Sequence, residues 1–252
     1  MTVKELYEAL NASMPEELRE AWDNDGIMCC ANTSGEVYRV LVSLDVTDGV
    51  IDYAAEGDFD LIVSHHPLVF KPISSLTDEN HISRKLIRLI ESGISVMSFH
   101  TRADKTEGGV NDILADILGI FNTVPFADGI GRIGEIDEEC GFEEFAESVK
   151  IALGADTIRT ADAYNRVKRV AVLGGDGKSG VIPAMELGAD TYISGRIGYN
   201  VMEEAAEMGI NLIEAGHFFT EQPVCAFFKK LINKAAPDIY VEIANSNAIK
   251  CI

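Results

Sequence analysis

Short apolar runs alternate with helix-like stretches along this 252-residue chain, and the alternation limits the possible folds. Short apolar runs bounded by turn residues are typical of buried strands. The stretches between them carry apolar residues at helical spacing, as at Ile113, Leu114, Ile117 and Leu118. Strands that alternate with helices of roughly ten to fifteen residues indicate βαβ units and a parallel sheet. The sequence therefore predicts an α/β fold.

The alternation occurs twice, which predicts two similar α/β lobes with mostly parallel sheets and a cleft between them. We assign residues 1–125 to the first lobe and 126–252 to the second, with the C-terminal segment a candidate to pack back on the first. Gly57–Ser64 resembles Gly188–Ser194, although any two βαβ units could look this alike. Residues 121–135 are rich in glycine and are predicted to connect the lobes.

Local signals predict several element boundaries. Thr2 and Glu5 have capping-box spacing, which predicts a first helix over residues 3–12. Gly93 is a natural C-cap for a helix over about 79–92, so His81 is expected to stand at a helix start without a chemical role. The last elements are predicted to be a helix over 221–235 and a strand over 239–244.

Composition excludes several classes of function. The chain has 41 acidic and 21 basic residues, a formal charge of −20, and such a surface repels the phosphates of nucleic acids. No apolar run approaches the roughly 18–20 residues of a membrane span, and the N-terminus lacks a signal peptide. The five cysteines, of which the last is Cys251, form no CxxC pair. We expect a cytoplasmic protein without nucleic-acid or membrane partners.

Four of the five histidines stand where a predicted apolar strand ends, and a carboxylate follows two of them at a distance of four residues. The histidines are His65, His66, His100 and His217, and the carboxylates are Asp104 and Glu221. In open α/β folds, ligands bind beyond the carboxyl ends of the strands. Imidazole and carboxylate groups gathered at such an edge are typical metal ligands, so the pattern predicts a metal site.

The adjacent pair His65–His66 favours two ions over one. Neighbouring side chains on an extended backbone point to opposite sides, so each imidazole can reach a different ion. Two ions about 3.5–4 Å apart require a bridging ligand, for which Glu221 and Asp104 are the candidates. Nitrogen mixed with carboxylate ligands suits zinc, iron, manganese, cobalt or nickel. Few protein ligands per ion leave open positions, which is typical of catalytic sites.

Other motifs predict less. The glycine-rich stretch 174–180 has neither Walker A nor GxGxxG spacing. Its amides could hold an anion at a helix N-terminus, or it could be a tight turn without a ligand. The chain also lacks a GxSxG nucleophile elbow, so nothing predicts a serine hydrolase.

Four segments resemble, in order, the signatures of a known family. They are Trp22–Gly26, Leu61–Phe70, the stretch from His100 to Asn111, and Ala215–Glu221. By these segments the chain resembles the Nif-three-like family, often labelled GTP cyclohydrolase I type 2 homologs, over nearly its whole length. The resemblance implies a dinuclear metal site between two α/β lobes. It also implies a homohexameric ring built as a trimer of dimers.

Carried over by position, the resemblance implies a specific ligand set. His65 and Asp104 would hold one ion, His66 and His217 would hold the other, and Glu221 would bridge them. His100 would lie close by, as an orienting neighbour or an occasional ligand. We take His100, as a general acid or base, and Glu221 as the catalytic candidates.

Two departures from the family pattern are visible. Longer relatives carry an inserted domain, for which this chain has no room. Many relatives also have a histidine in the segment that corresponds to residues 195–200, where this chain has none. The leading hypothesis is a metal-dependent hydrolase of an unidentified small molecule, a heterocycle or a phosphorylated compound. The alternative is a non-enzymatic metal-binding protein with a regulatory, chaperone or scaffold role.

Overall fold

The computed structural model describes residues 1–250, so Cys251 lies outside the described part of the chain. The helices are α1 Val3–Ser13, α2 Asp48–Glu56, α3 His81–Glu91, α4 Thr101–Lys105, α5 Val110–Ile117, α6 Phe142–Leu153, α7 Val181–Glu186, α8 Tyr199–Glu207, α9 His217–Glu221 and α10 Val224–Ala235. The strands are β1 Gly26–Cys29, β2 Arg39–Ser43, β3 Leu61–Ser64, β4 Ser95–Ser98, β5 Phe121–Phe126, β6 Gly131–Cys140, β7 Arg159–Ala161, β8 Val167–Asp176, β9 Thr191–Arg196, β10 Asn211–Glu214 and β11 Tyr240–Ile243. No helix within residues 1–250 is long and apolar enough to cross a membrane.

Within residues 1–250 the strands form two sheets, which confirms the predicted α/β class. The chain divides into two compact units. Of the described residues, unit 1 contains Met1–Thr106 and Val224–Ala248, and unit 2 contains Glu107–Pro223 with residues 249 and 250. The boundary near residue 125 that we drew from the sequence stays a prediction.

Unit 1 is built on a sheet of strand order β1-β4-β3-β2-β11. Among the described residues, three of its four strand pairings are parallel, and only the edge strand β1 is antiparallel. The central strands β3 and β4 are buried at every position, as expected for parallel strands covered on both faces. Helix α1 packs on α10, and α2 packs on α3. The capping box predicted at Thr2 and Glu5 is present.

Unit 2 corrects the expectation of mostly parallel strands. Its sheet has the order β5-β6-β8-β9-β10-β7, and three of the five pairings seen in the described chain are antiparallel. The predicted connector over 121–135 is also wrong, because β5 and the start of β6 form an antiparallel hairpin there. Of the three glycines in this stretch, Gly129 lies in the turn of the hairpin, where Ala127 and Asp128 also have positive φ, and the other two lie in β6.

The helix predicted over 221–235 is present as α10, but it begins three residues later, and a separate short helix precedes it. Helix α9 ends at Glu221, and α10 begins at Val224. Pro223 stands between them, and proline lacks the donor N–H that a continuous helix would use at this point. The break allows α9 to carry His217 and Glu221 as a separate turn of helix.

Candidate metal centre

The edge of the unit 1 sheet gathers three of the predicted histidines. Strands β3 and β4 are parallel, and their register places Ser64 opposite Ser98. The side-chain oxygens of these two serines lie 2.8 Å apart, so the strands end together. The segments that follow, with His65 and His66 after β3 and His100 after β4, therefore leave the sheet at one edge. This is the edge at which α/β folds bind ligands.

The three imidazoles form one group. The ring centroids are 4.9 Å apart for His65 and His66, 5.2 Å for His65 and His100, and 5.7 Å for His66 and His100. One ring nitrogen of each lies within 4.8 Å of the others, so the group could hold a metal ion. The sequence-based expectation that His65 and His66 point to opposite sides of an extended strand does not apply here. Strand β3 ends at Ser64, and the two histidines lie in a bend.

The ring orientation of His65 is fixed by the backbone. Its Nδ1 lies 3.0 Å from the carbonyl oxygen of Phe99, and the side chain is fully buried. A carbonyl oxygen only accepts hydrogen bonds, so Nδ1 carries the proton and Nε2 carries the lone pair of the neutral ring. A metal-ligating histidine is oriented in the same way, since its second nitrogen donates to a carbonyl or carboxylate.

Carboxylates orient the other two imidazoles. His66 Nδ1 lies 2.7 Å from Asp45 Oδ1, and His100 Nδ1 lies 2.8 Å from Asp23 Oδ1. Each arrangement is a carboxylate–histidine pair, in which the carboxylate accepts the Nδ1 proton and leaves Nε2 as the nitrogen for a cation. The donor chemistry of unit 1 therefore fits a borderline divalent cation.

Asp104 lies beside this group. It belongs to the short helix α4, is buried, and places Oδ1 3.7 Å from His65 Nε2. A buried carboxylate at the nitrogen side of an imidazole supplies the negative charge that a bound cation requires. Four of the six predicted site residues, those of unit 1, are thus neighbours in one unit.

Asp23 holds the turn that carries His100. Its second oxygen accepts hydrogen bonds from the amide and the hydroxyl of Thr101, at 3.1 and 2.6 Å. Burial alone would raise the pKa of Asp23, but the hydrogen bonds from His100 and Thr101 outweigh it and lower the pKa. Burial alone would lower the pKa of His100, and the hydrogen bond to Asp23 with the charge of Asp104 raises it instead. Asp23 is therefore an ionised acceptor at neutral pH.

Unit 2 carries the other two predicted residues. His217 begins α9 and Glu221 ends it, so the two side chains share a helix face, with Nε2 2.9 Å from Oε2. Glu221 is buried, whereas His217 is partly exposed. Gly175 of β8, at φ +70°, faces this pair, and a Cβ there would lie 3.1 Å from the carboxyl carbon of Glu221. Only glycine leaves room for the Glu221 carboxylate.

The glycine-rich stretch 174–180 contains the end of β8 and a turn of 3-10 helix over Lys178–Gly180. The Gly174 amide donates to Asn111 Oδ1 at 2.8 Å, and the Gly175 amide donates to Thr220 Oγ1 at 3.1 Å. The Gly177 amide donates to the carbonyl of Arg196. Because these amides are used within unit 2, the turn without an anion is the better of the two interpretations.

Glu214 is the last residue of β10, the strand that leads to His217, and its side chain is hydrogen-bonded to the loop after β9. Its carboxylate accepts the amides of Ile197 at 2.7 Å and Gly198 at 2.9 Å, and it pairs with Arg159 at 2.7 Å. Burial raises the pKa of Glu214, but these hydrogen bonds outweigh it and lower the pKa below its usual value. A carboxylate of this kind stabilises the fold above its unfolded pKa and loses that contribution as the pH falls through its folded pKa.

Replacing Glu214 with glutamine is therefore expected to destabilise the protein by about 1 kcal/mol at pH 7. The difference from wild type should shrink as the pH falls through the lowered pKa of Glu214, because the wild-type carboxyl then takes up its proton. Urea unfolding at several pH values measures this, with Glu207→Gln on the exposed face of α8 as the control. A gap that stays constant from pH 7 to pH 3 would contradict the assignment.

Sequence reasoning missed Asp23 and Asp45. Asp45 follows β2, which pairs in parallel with β3 so that Ser43 lies opposite Ser64. The strand-end rule that identified the histidines, applied to carboxylates, would have found Asp45. Asp23 follows no strand, and the only sequence signal for it was its place in Trp22–Gly26, one of the segments that resemble the family signatures.

Similarities to known proteins identify the family of this chain. The Duf34/NIF3 (NGG1p interacting factor 3) family matches residues 1–251. A GTP cyclohydrolase 1 type 2 homolog of Clostridium perfringens is 35% identical over 233 residues, which cover 89% of this chain and 88% of that protein. A hypothetical protein of Staphylococcus aureus of known structure is 26% identical, with a TM-score of 0.90 over 100% of this chain and 99% of that one. A Bacillus cereus protein related to NIF3, 22% identical, shares the fold with a TM-score of 0.91 over 100% and 99% of the two chains. The resemblance seen in the sequence is confirmed, and the chain belongs to the Duf34/NIF3 family.

Proposed function

We propose that the protein is a metal-dependent hydrolase of a small molecule, with two divalent cations as its cofactors. The observation that carries the proposal is the histidine group of unit 1. Three imidazoles meet at one sheet edge, and each has its Nδ1 beside an oxygen acceptor. Histidines with a structural role do not require this shared orientation, whereas metal ligands do.

The proposed ligands are those that the family resemblance implies. They are His65, His66, Asp104, His217 and Glu221. The donors are nitrogen and oxygen, which suits zinc, iron, manganese, cobalt or nickel. When bound, such cations act as Lewis acids that polarise the bond under attack and make water more acidic.

The chain's own residues supply the remaining chemistry. We assign proton transfer to His100, because Asp23 fixes the orientation of its ring. Asp45 orients His66 in the same way. Glu221, buried beside His217, supplies charge that helps to neutralise the cations. Hydrolysis of a heterocycle or a phosphorylated compound is consistent with these roles, and the curated relatives named GTP cyclohydrolase 1 type 2 homolog place GTP among the compounds to test.

Replacing Glu221 with glutamine is expected to abolish hydrolysis while the fold survives. The amide keeps the shape of the side chain but removes its charge, so metal affinity should fall roughly 10- to 100-fold. Elemental analysis of purified protein measures ion type and ions per chain, and wild type should hold two. Metal-loaded protein is then screened for turnover of nucleotides, phosphoesters and cyclic amides, with Glu207→Gln as the matched control.

Each outcome separates the two classes of function. Turnover that is lost in Glu221→Gln and kept in Glu207→Gln supports a hydrolase. Two ions per chain without turnover, together with a partner whose binding depends on metal, would instead support a regulatory, chaperone or scaffold role. Wild type without bound metal after gentle purification would contradict both. We further propose a cytoplasmic homohexamer, a trimer of dimers, as the family resemblance implies.

A further inference from the structure

Two exposed aromatic side chains adjoin the histidine group of unit 1. Trp22 is 61% exposed and Phe70 is 44% exposed. Their ring centroids are 6.2 Å apart, and the rings of Trp22 and Phe70 lie 6.3 and 6.2 Å from that of His100. The three rings meet in edge-to-face geometry, so apolar π surface open to solvent is continuous with the candidate metal ligands.

The loop that carries Trp22 is rigidly held. The next residue, Asp23, accepts two hydrogen bonds from Thr101 and one from His100. Asn24 donates from its side-chain amide to the carbonyl of Val69, the neighbour of Phe70. The two aromatic residues therefore stand on loops that are tied to each other and to the site, while their rings face solvent.

This combination favours a binding surface over a chance exposure. Single exposed aromatic residues are common on proteins, but these two are held in a fixed arrangement beside a candidate catalytic group. Aromatic side chains that are ordered before a ligand arrives lose little conformational entropy on binding. Such a surface recognises planar rings, which stack or pack edge-to-face on indole and phenyl groups.

We propose that Trp22 and Phe70 form the subsite that binds the aromatic ring of the substrate, and that the substrate is a planar nitrogen heterocycle. This inference rests on the proposed hydrolase function and deepens it, because it selects the heterocycle from the two substrate classes that the metal site allows. A ring held on Trp22 and Phe70 would lie next to His100, and its C–N bonds would be the bonds presented for hydrolysis. Hydrolysis would break one such C–N bond, with the hydroxyl of water joining the carbon and its proton joining the nitrogen.

Trp22 is the single tryptophan of the chain, so its fluorescence reports on this subsite directly. Guanosine is the probe, with excitation at the red edge of tryptophan absorption, where the nucleoside does not absorb. Saturable quenching is expected for both metal-free and metal-loaded protein, because the rings do not require the ions. Ribose 5-phosphate, which lacks the ring, should cause none.

Two substitutions of Phe70 test the role of its ring. Phe70→Ala removes it, and Phe70→Leu keeps an apolar side chain without the π face. Both should raise the Kd for guanosine roughly 5- to 150-fold, the range found for base stacking on aromatic residues. The matched control is Phe121→Leu, at a phenylalanine of unit 2 that is 57% exposed, and it should leave the Kd unchanged. Circular dichroism verifies the fold of each variant.

Several results would overturn the inference. One is the absence of quenching by guanosine at millimolar concentration, and another is an equal Kd for Phe70→Leu and Phe121→Leu. A third is stronger quenching by choline than by guanosine, which would identify a cation subsite. The metal and turnover assays stay independent of these readings. Two ions per chain with turnover but no quenching would reject only the aromatic subsite. Quenching in a protein that proves unable to bind metal would reject only the hydrolase.

Discussion

Replacing Arg102 with methionine is expected to remove about 3–5 kcal/mol from the free energy of unfolding, because it removes the buried guanidinium that pairs with Asp25. Within residues 1–250, the Asp25 carboxylate would keep only the His100 amide at 3.2 Å and Arg19 at 3.5 Å. The Arg102 and Asp25 side chains are fully buried, and Arg102 Nε donates to Asp25 Oδ2 at 2.8 Å. The other guanidinium nitrogens donate to Asn11 Oδ1 at 2.5 Å, to the carbonyl of Met14 at 3.0 Å and to the hydroxyl of Tyr7 at 3.2 Å. One side chain thus joins α4 to α1 and to the loop before β1.

Urea unfolding measures the loss, and two further variants show its cause. Arg166→Met removes an exposed partner of Glu139, with side chains 63% and 53% exposed, and should cost less than about 1 kcal/mol. Changing Asp25 to leucine together with Arg102→Met removes both buried charges, so the double variant should recover part of the lost stability. Equal costs for Arg102→Met and Arg166→Met would show that the buried network contributes little. The metal content should fall with the stability, because Arg102 lies between His100 and Asp104 in the turn that carries them.

The histidine edge of unit 1 was predictable because it depends on local rules. An apolar strand, a polar side chain directly after it and a parallel neighbour suffice to place His65, His66 and His100 at one edge. The register of β3 and β4 then brings the strand ends level. The same rule reaches Asp45, which follows β2 where that strand ends level with β3.

Features that depend on distant parts of the chain were not predictable in this way. Arg102 is an ordinary surface residue by its type, and only the fold surrounds it with acceptors from α1 and from the loop before β1. The turn at Ala127–Gly129 has the composition of a linker, and only the pairing of β5 with β6 identifies it as a hairpin. The three antiparallel pairings of unit 2 likewise follow from which strands meet, and strand patterning does not reveal this.

Replacing Gly175 with alanine is expected to cost both stability and metal binding. The residue has φ +70°, a region that costs an L-residue roughly 1–2 kcal/mol. The added methyl group would overlap the Glu221 carboxylate and lie 3.3 Å from His217 Nε2. Glu221 is buried, so it cannot swing into solvent to make room. We expect the carboxylate to be displaced from His217, with a further cost of about 1–3 kcal/mol for overpacking and a roughly 10- to 100-fold loss of metal affinity.

Gly188→Ala separates the two causes. Gly188 has φ +79°, and nothing lies within 4 Å of the position its Cβ would occupy. This variant should show the backbone strain alone, as a loss of roughly 1–2 kcal/mol in urea unfolding with metal content equal to wild type. Gly175→Ala could instead keep its full complement of metal and lose no more stability than Gly188→Ala. That result would show that the Glu221 carboxylate can move away from the added methyl group at no cost. The proposed role of Glu221 at the cations would have to be abandoned, because a ligand that tolerates displacement by a methyl group is not holding a metal ion.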